Sequence, residues 1–202
     1  MARSLNPSEI TFTGDAQISA RATFLEFWRW AFSDLCDDDL KGIFAEWMVG
    51  TLLGLPCSRR ISWADSDIIL PNGACIEVKA TAVWQSWKLV NQDGSCKPLP
   101  KVALLDPAKI RFGGLQARPT AEQWSGYRSF KSEFYVFCFH AETDPAAWDA
   151  WNLAQWEFYM MTRDELTAHK VGRSISIAAL RNIRPKMSAA EFQPFARSRL
   201  GM

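Results

Sequence analysis

The chain has 202 residues, of which 48% are hydrophobic and 22% charged, and this length and composition suit one globular domain. Its 23 basic residues nearly cancel 22 acidic ones, so the net charge of +1 excludes a global electrostatic attraction to nucleic acid. Five scattered cysteines without a CxxC pair, and no apolar run of the ~18 residues that a membrane span needs, exclude a disulfide framework and a membrane protein. We therefore expect a single cytoplasmic domain over 1–202 with reduced thiols, and with loose arms at 1–17 and about 187–202.

The first half of the chain predicts two helices and a β-hairpin. A helix over 17–36 would carry its aromatic residues on one apolar stripe, and a second helix over 40–53 follows an acidic run that suits a helix start. The hairpin spans 61–81. The glycine and prolines of 91–108 indicate a loop.

The second half predicts strands that alternate with short helices. FYVFCF at 134–139 is almost wholly apolar, which is typical of a strand covered on both faces of a sheet. The remaining segments are a strand at 109–112, a strand at 155–161, a capped helix at 162–169, and a strand that turns helical at 174–180. This order of elements predicts an α/β or α+β sheet domain.

The hairpin sequence SDIILPNGACIEVKAT carries charges within an otherwise apolar pattern. Its Pro-Asn-Gly segment suits the three successive positions of a three-residue loop, which pairs Ile68 with Ile76 and Asp67 with Glu77. The charged face of the hairpin then consists of Asp65, Asp67, Glu77 and Lys79. A two-residue Asn-Gly turn would instead place Asp67 opposite Val78 and scatter the charges.

Glu46 is the only charged residue from 43 to 55, and a lone carboxylate is costly if it is buried without a partner. Gly42 and Gly50, one turn away on either side, would let another backbone approach it closely. Two interpretations of these carboxylates remain open. One is a solvated, charged surface; the other is a shared site for a hard cation such as Mg²⁺, which takes oxygen ligands.

The charged residues of this region resemble, in their order, the motif of the PD-(D/E)xK nuclease superfamily. Its hallmark is a helix glutamate, a strand aspartate and an E-x-K on the adjacent strand. The matching residues are Glu46, Asp67, Glu77, Val78 and Lys79. Ser66 stands where the family's proline would be, and Gln85 of WQSW lies where related enzymes often have a glutamine or similar polar residue. The resemblance covers residues 46–87, and later segments look like those of uncharacterised bacterial members.

The resemblance implies an α/β (α+β), restriction-endonuclease-like fold with a mixed central sheet flanked by helices. It also implies a metal-dependent nuclease, most readily acting on DNA, with Mg²⁺ as the cofactor and Mn²⁺ as a substitute. The implied metal ligands are Asp67, Glu77, the carbonyl of Val78, and Glu46. The implied catalytic residues are Glu46, Asp67, Glu77, Lys79 and Gln85. Lys79 would orient the attacking water or stabilise charge in the transition state, and Asp65 is the rival to Asp67.

Partners follow from the same resemblance. Arg59, Arg60 and Lys88 could contact a DNA backbone, and such contacts position the strand without reading its sequence. A homodimer would suit double-strand cutting, although no residue indicates one. The alternative function is a non-cleaving nucleic-acid-binding or structural protein on the same fold.

Overall fold

The computed structural model describes residues 6–8, 23–56, 60–61, 64–85, 95, 108–117 and 129–202. The chain divides into two compact units, Met1–Leu35 and Cys36–Met202. A single domain over 1–202 stays a prediction. Nearly all of the predicted loop at 91–108 and most of the predicted arm at 1–17 lie outside the described residues.

Helix α1, Phe24–Phe32, belongs to the first unit. It begins at Thr23, whose hydroxyl accepts a hydrogen bond from the Glu26 amide at 3.2 Å. None of the residues of α1 is buried. The helix is shorter than the predicted 17–36, of which 17–22 lie outside the described residues.

Helix α2, Asp38–Leu52, opens the second unit and confirms the helix predicted at 40–53. The carboxylate of Asp37 accepts hydrogen bonds from two amides of the first turn, which stabilises the helix start. Its main apolar buried residues recur at the spacing of one helix face, and they are Phe44, Ala45, Met48 and Val49.

The hairpin forms in the register that a three-residue loop predicts. Strand β1, Ile68–Ile69, runs antiparallel to strand β2, Cys75–Ala82, and Ile68 lies opposite Ile76. β1 is much shorter than expected, because the chain bends at 65–67 and leaves the ladder.

The loop between these strands is closed by two backbone hydrogen bonds. The Gly73 amide donates to the Leu70 carbonyl at 2.8 Å, and the Leu70 amide donates to the Ala74 carbonyl at 2.9 Å. Gly73 has a φ of +87°, in the left-handed region that favours glycine. The loop chemistry read from the sequence is therefore confirmed.

The next three strands are β3, Arg111–Phe112; β4, Phe134–His140; and β5, Trp156–Thr162. Strands β4 and β5 confirm two predicted strands to within one residue. They join the hairpin in a four-stranded mixed sheet of order β1-β2-β4-β5, in which only β2 and β4 run parallel. Strands β4 and β5 are buried along almost their whole length, and α2 packs against β2.

The remaining elements are α3, Arg163–Ala168; β6, Ile175–Ser176; α4, Ile177–Ile183; and α5, Ala189–Arg199. The predicted cap of α3 is confirmed as a capping box between Thr162 and Glu165. The segment predicted to turn from strand to helix does so at Ser176. β6 pairs with β3 in a separate two-stranded sheet.

The C-terminal segment differs from the loose arm expected at about 187–202. Helix α5 buries Phe192 and Ala196, and the Phe192 ring stacks on Phe158 with 5.0 Å between centroids. The Arg197 guanidinium donates to the Leu53 carbonyl at 2.6 Å, which ties the helix to the end of α2. The sequence pattern is weak here because α5 buries few residues and contains Pro194.

Two properties of the described residues bear on localisation. None of their helices is both long and apolar enough to cross a bilayer. Their cysteines, Cys36, Cys75 and Cys138, are free thiols. Burial raises the pKa of the Cys138 thiol, which makes a reactive thiolate unfavourable there.

Gly73 and Gly42 provide a matched test of the hairpin loop. A methyl group added at either position meets no described atom within 4 Å, so neither change creates a clash. We expect Gly73→Ala to lower the free energy of unfolding by about 1 kcal/mol, because the left-handed conformation is strained for alanine. Gly42→Ala, inside α2, should raise it by about 0.5–1 kcal/mol. Urea denaturation measures both, and effects of the same sign would contradict the loop conformation.

Candidate active site

Strand β2 presents Glu77 and Lys79 on one face of the sheet. Alternation along the strand buries Ile76 and Val78 on the opposite face and leaves the two charged side chains 19% and 23% exposed. Lys79 Nζ donates to Glu77 Oε1 at 2.6 Å. Nζ also lies beside Gly114, where a Cβ would be 3.9 Å from it.

Asp67 lies where β1 leaves the ladder. Its Oδ2 accepts a hydrogen bond of 2.8 Å from the Val78 amide, so the side chain takes the place of the next backbone partner of β2. Because the N–H and C=O of one strand residue project to the same side, the Val78 carbonyl points to this edge as well. We call this place, formed by Asp67, Glu77, Lys79 and the Val78 carbonyl, the carboxylate edge.

The charges at the carboxylate edge act strongly on Asp67. Burial raises the pKa of Asp67 to about 6, and the nearby Glu77 carboxylate contributes further. The hydrogen bond from Val78 and the charge of Lys79 oppose this rise without cancelling it. Glu46 also raises the pKa of Asp67, so a residue of α2 belongs to the same electrostatic neighbourhood.

Glu46 reaches this neighbourhood from α2, and an arginine holds its carboxylate. Arg60 donates from Nε to Oε2 at 2.5 Å and from Nη2 to Oε1 at 2.7 Å. Only 14% of the Glu46 side chain is exposed, and its hydrogen bond raises the pKa of Arg60. Arg60, expected to contact DNA, thus pairs with a site residue. No described backbone makes the close approach expected at Gly42 and Gly50.

Two buried hydroxyl groups bond to each other beside Glu77, and one of them contacts its other carboxylate oxygen. Ser132 Oγ lies 3.5 Å from Glu77 Oε2 and 2.8 Å from Ser66 Oγ. If Ser66 donates to Ser132 and Ser132 donates to Glu77, both hydroxyl protons are used. Sequence reasoning missed Ser132, because it is 55 residues from Glu77 and no spacing rule connects them.

Asp65 is not part of the carboxylate edge. Its side chain is 86% exposed and pairs with Lys131 at 3.4 Å. The predicted place of Asp65 on the charged face of the hairpin is wrong, because the chain bends at 65–67 and the ladder ends at Ile68. Asp67 therefore has no rival for its place.

Among the other predicted site residues, Arg59 and Lys88 lie outside the described residues. Gln85 is described, and no hydrogen bond or ion pair joins it to the described residues of the carboxylate edge. The neighbouring Trp84 is 1% exposed and packs in the core.

The donor atoms of the carboxylate edge fit a hard divalent cation. Among the described residues, no three His, Cys, Asp or Glu side chains converge closely enough to hold one metal ion. Mg²⁺, however, usually binds through one or two carboxylates and keeps several waters. Asp67 Oδ1 accepts no hydrogen bond from the described residues, and the Glu77 carboxylate is close enough to raise the pKa of Asp67. These oxygen atoms suit Mg²⁺.

Comparisons with known proteins yield no matching family model, no matching curated protein and no matching solved structure. The function of the carboxylate edge has to be argued from its own residues.

Asp67→Asn tests the repulsion at the carboxylate edge. An aspartate whose pKa is raised on folding binds its proton more tightly in the folded state, so the wild type loses stability as the pH rises from about 4 to about 6. We expect the variant to match the wild type below about pH 4 and to exceed its free energy of unfolding by about 2 kcal/mol above about pH 7, with solvent screening allowed for. Urea denaturation in EDTA measures this difference.

Asp65→Asn is the matched control, because that carboxylate is exposed and lies outside the edge. It should change the free energy of unfolding above about pH 7 by much less than Asp67→Asn does. A difference between wild type and Asp67→Asn that is constant with pH would contradict the raised pKa.

Proposed function

We propose that the protein is a metal-dependent nuclease that hydrolyses phosphodiester bonds, with DNA as its substrate. One observation carries this proposal: Asp67 and Glu77 lie together at a partly buried edge, where repulsion and burial raise the pKa of Asp67 to about 6. Such an arrangement lowers folding stability, which is common at sites that bind a charged ligand. A cation at the edge would relieve the repulsion between the carboxylates. The ammonium group of Lys79 lies at the same edge, where it would contact a phosphate.

Asp67 and Glu77 would hold the metal together with the Val78 carbonyl, and Glu46 would serve a second ion or a metal-bound water. When bound, Mg²⁺ supplies a water of lowered pKa and neutralises charge on the phosphate. Ser132 restrains Oε2 of Glu77, which keeps Oε1 directed toward Lys79.

Lys79 acts on the charge that develops at the phosphate. Without ligands its ammonium group is held by Glu77. Once Glu77 is engaged by a cation, Nζ is free to approach a phosphate oxygen or the attacking water, where a point charge stabilises the transition state. Gly114 has no side chain to obstruct this movement.

Arg60 balances Glu46 in the metal-free protein through its two hydrogen bonds. If Glu46 held a cation, Arg60 would still supply positive charge beside that carboxylate, where it would attract a phosphate.

A second candidate function is supported by the same ion pairs. Arg60 and Lys79 neutralise the carboxylates of Glu46 and Glu77 without a metal. A non-cleaving nucleic-acid-binding or structural protein would need such pairs, because it holds no cation at these carboxylates. Only the nuclease needs Asp67 and Glu77 ionised side by side. Cutting assays with point variants therefore separate the two candidates.

We expect the purified protein to cut plasmid or single-stranded DNA with Mg²⁺ or Mn²⁺ and to leave it intact in EDTA. Asp67→Asn and Lys79→Ala should each slow cutting by about 100-fold or more, because each removes a group that acts on the cation or on the developing charge. Time courses on gels with labelled substrate measure the rates.

Asp65→Asn serves as the control and should cut at the wild-type rate. Binding of DNA without cutting by any of these proteins would favour the second candidate. Cutting that survives in both Asp67→Asn and Lys79→Ala would sink the assignment of the site. Parallel assays with RNA test the choice of DNA.

Mg²⁺ should also stabilise the folded protein in the absence of nucleic acid, because it binds the folded edge and not the unfolded chain. At 100 times its Kd the ion adds about 2.7 kcal/mol to the free energy of unfolding. We expect this as a rise in Tm that EDTA reverses and that Glu77→Gln largely abolishes. An equal rise in wild type and variant would show that the ion binds elsewhere.

A further inference from the structure

A pocket of about 560 Å³ lies in the second unit, and none of the residues of the carboxylate edge lines it. Its volume falls within the roughly 300–1,000 Å³ that is typical of ligand sites. Phe130 and Val171 form apolar walls, and Arg163 and Lys170 supply two cationic groups. Its lining therefore combines positive charge with an aromatic ring.

Within the described part of the chain, no carboxylate engages the two cations of this pocket. Neither Arg163 nor Lys170 forms an ion pair with another described residue. The nearby Glu165 is already engaged, because Arg184 and Arg199 both donate to its Oε1. These hydrogen bonds outweigh the effect of burial, and with the bond from the Thr162 amide they lower the pKa of Glu165 to about 2.

The backbone of the turn after α3 fixes the position of Lys170. Its φ is +53°, and its amide donates to the Thr167 carbonyl at 2.9 Å, while the Val171 amide donates to the Leu166 carbonyl at 2.9 Å. These bonds close the helix. Glycine or asparagine would adopt this conformation at lower cost, so local structure does not account for a lysine here.

One chain segment leads from the carboxylate edge to this pocket. Ser132 contacts Glu77, and Phe130, two residues earlier, lines the pocket. Two residues of extended chain span at most about 7 Å. The backbone of this segment therefore connects the carboxylate edge to the pocket over only two residues.

A second segment follows the same course. Gly114 lies beside Nζ of Lys79, and Gln116, again two residues away, lines the pocket. The two segments are held together by a pair of 3.1 Å hydrogen bonds between the backbones of Ala117 and Ser129. Two paired backbone segments thus run from the carboxylate edge to the pocket.

We propose that the pocket holds the nucleic-acid strand beside the phosphate that is cut. This proposal rests on the proposed nuclease function. Arg163 and Lys170 contact a neighbouring backbone phosphate, and the sugar of that nucleotide lies against the apolar wall at Val171. Contacts of this kind position a strand without reading its sequence. The pocket makes the enzyme tolerant of sequence and sensitive to salt.

Binding of fluorescein-labelled single-stranded DNA to the full chain in EDTA tests this proposal, because no cutting occurs there. The Arg163→Gln/Lys170→Gln double variant should raise Kd by about tenfold and reduce the slope of log K against log salt by about 0.7 for each lost cation. Lys109→Gln, an exposed lysine that does not line the pocket, is the control for Lys170→Gln and should leave both quantities unchanged.

The outcomes distinguish this proposal from the nuclease assignment. If the wild type binds DNA but does not cut it with metal, weaker binding by the double variant still supports the pocket. If the wild type cuts and the double variant keeps its Kd, salt slope and KM, the pocket proposal is overturned while the nuclease stands. Failure of the wild type to bind DNA overturns it too, as does a mononucleotide that competes as strongly as the oligonucleotide.

Discussion

The hydrogen bond from the Val78 amide to the Asp67 carboxylate is the interaction on which the carboxylate edge depends. It forms because the three-residue loop pairs Ile68 with Ile76, after which the chain bends and brings Asp67 onto β2. A slip of one residue would turn every side chain of β1 to the opposite face. The left-handed Gly73, which carries no chemistry itself, therefore decides whether Asp67 and Glu77 meet.

The balance of charge around this hydrogen bond indicates where a cation would bind. Among the described residues, Glu46 pairs with Arg60 and Glu77 with Lys79, whereas Asp67 accepts a hydrogen bond from a backbone amide and forms no ion pair. With every group ionised, one negative charge remains uncompensated at a partly buried place. A divalent ion would reverse that sign. The surroundings would then attract a phosphate instead of repelling it.

Much of the fold is visible in the sequence because its signals are local. The Pro-Asn-Gly loop, the apolar run of β4 and the capping box of α3 are each specified by residues that are close together in the sequence. Long-range contacts carry no such signal: nothing in the spacing joins Ser132 to Glu77 or Arg60 to Glu46. Asp65 lies away from its predicted face for a related reason, since the alternation of side chains does not continue past the end of the ladder at Ile68.

The degree of burial separates the two interpretations that the sequence left open. A solvated, charged surface accounts for Asp65, which is 86% exposed and pairs loosely with Lys131. It does not account for Glu46 and Glu77, which are 14% and 19% exposed and are held by short, direct ion pairs. If these charges only prevented an exposed sheet edge from pairing with another chain, scattered charges would be enough. Carboxylates that are drawn together and partly buried, at a cost in stability, are better explained by a ligand that needs them there.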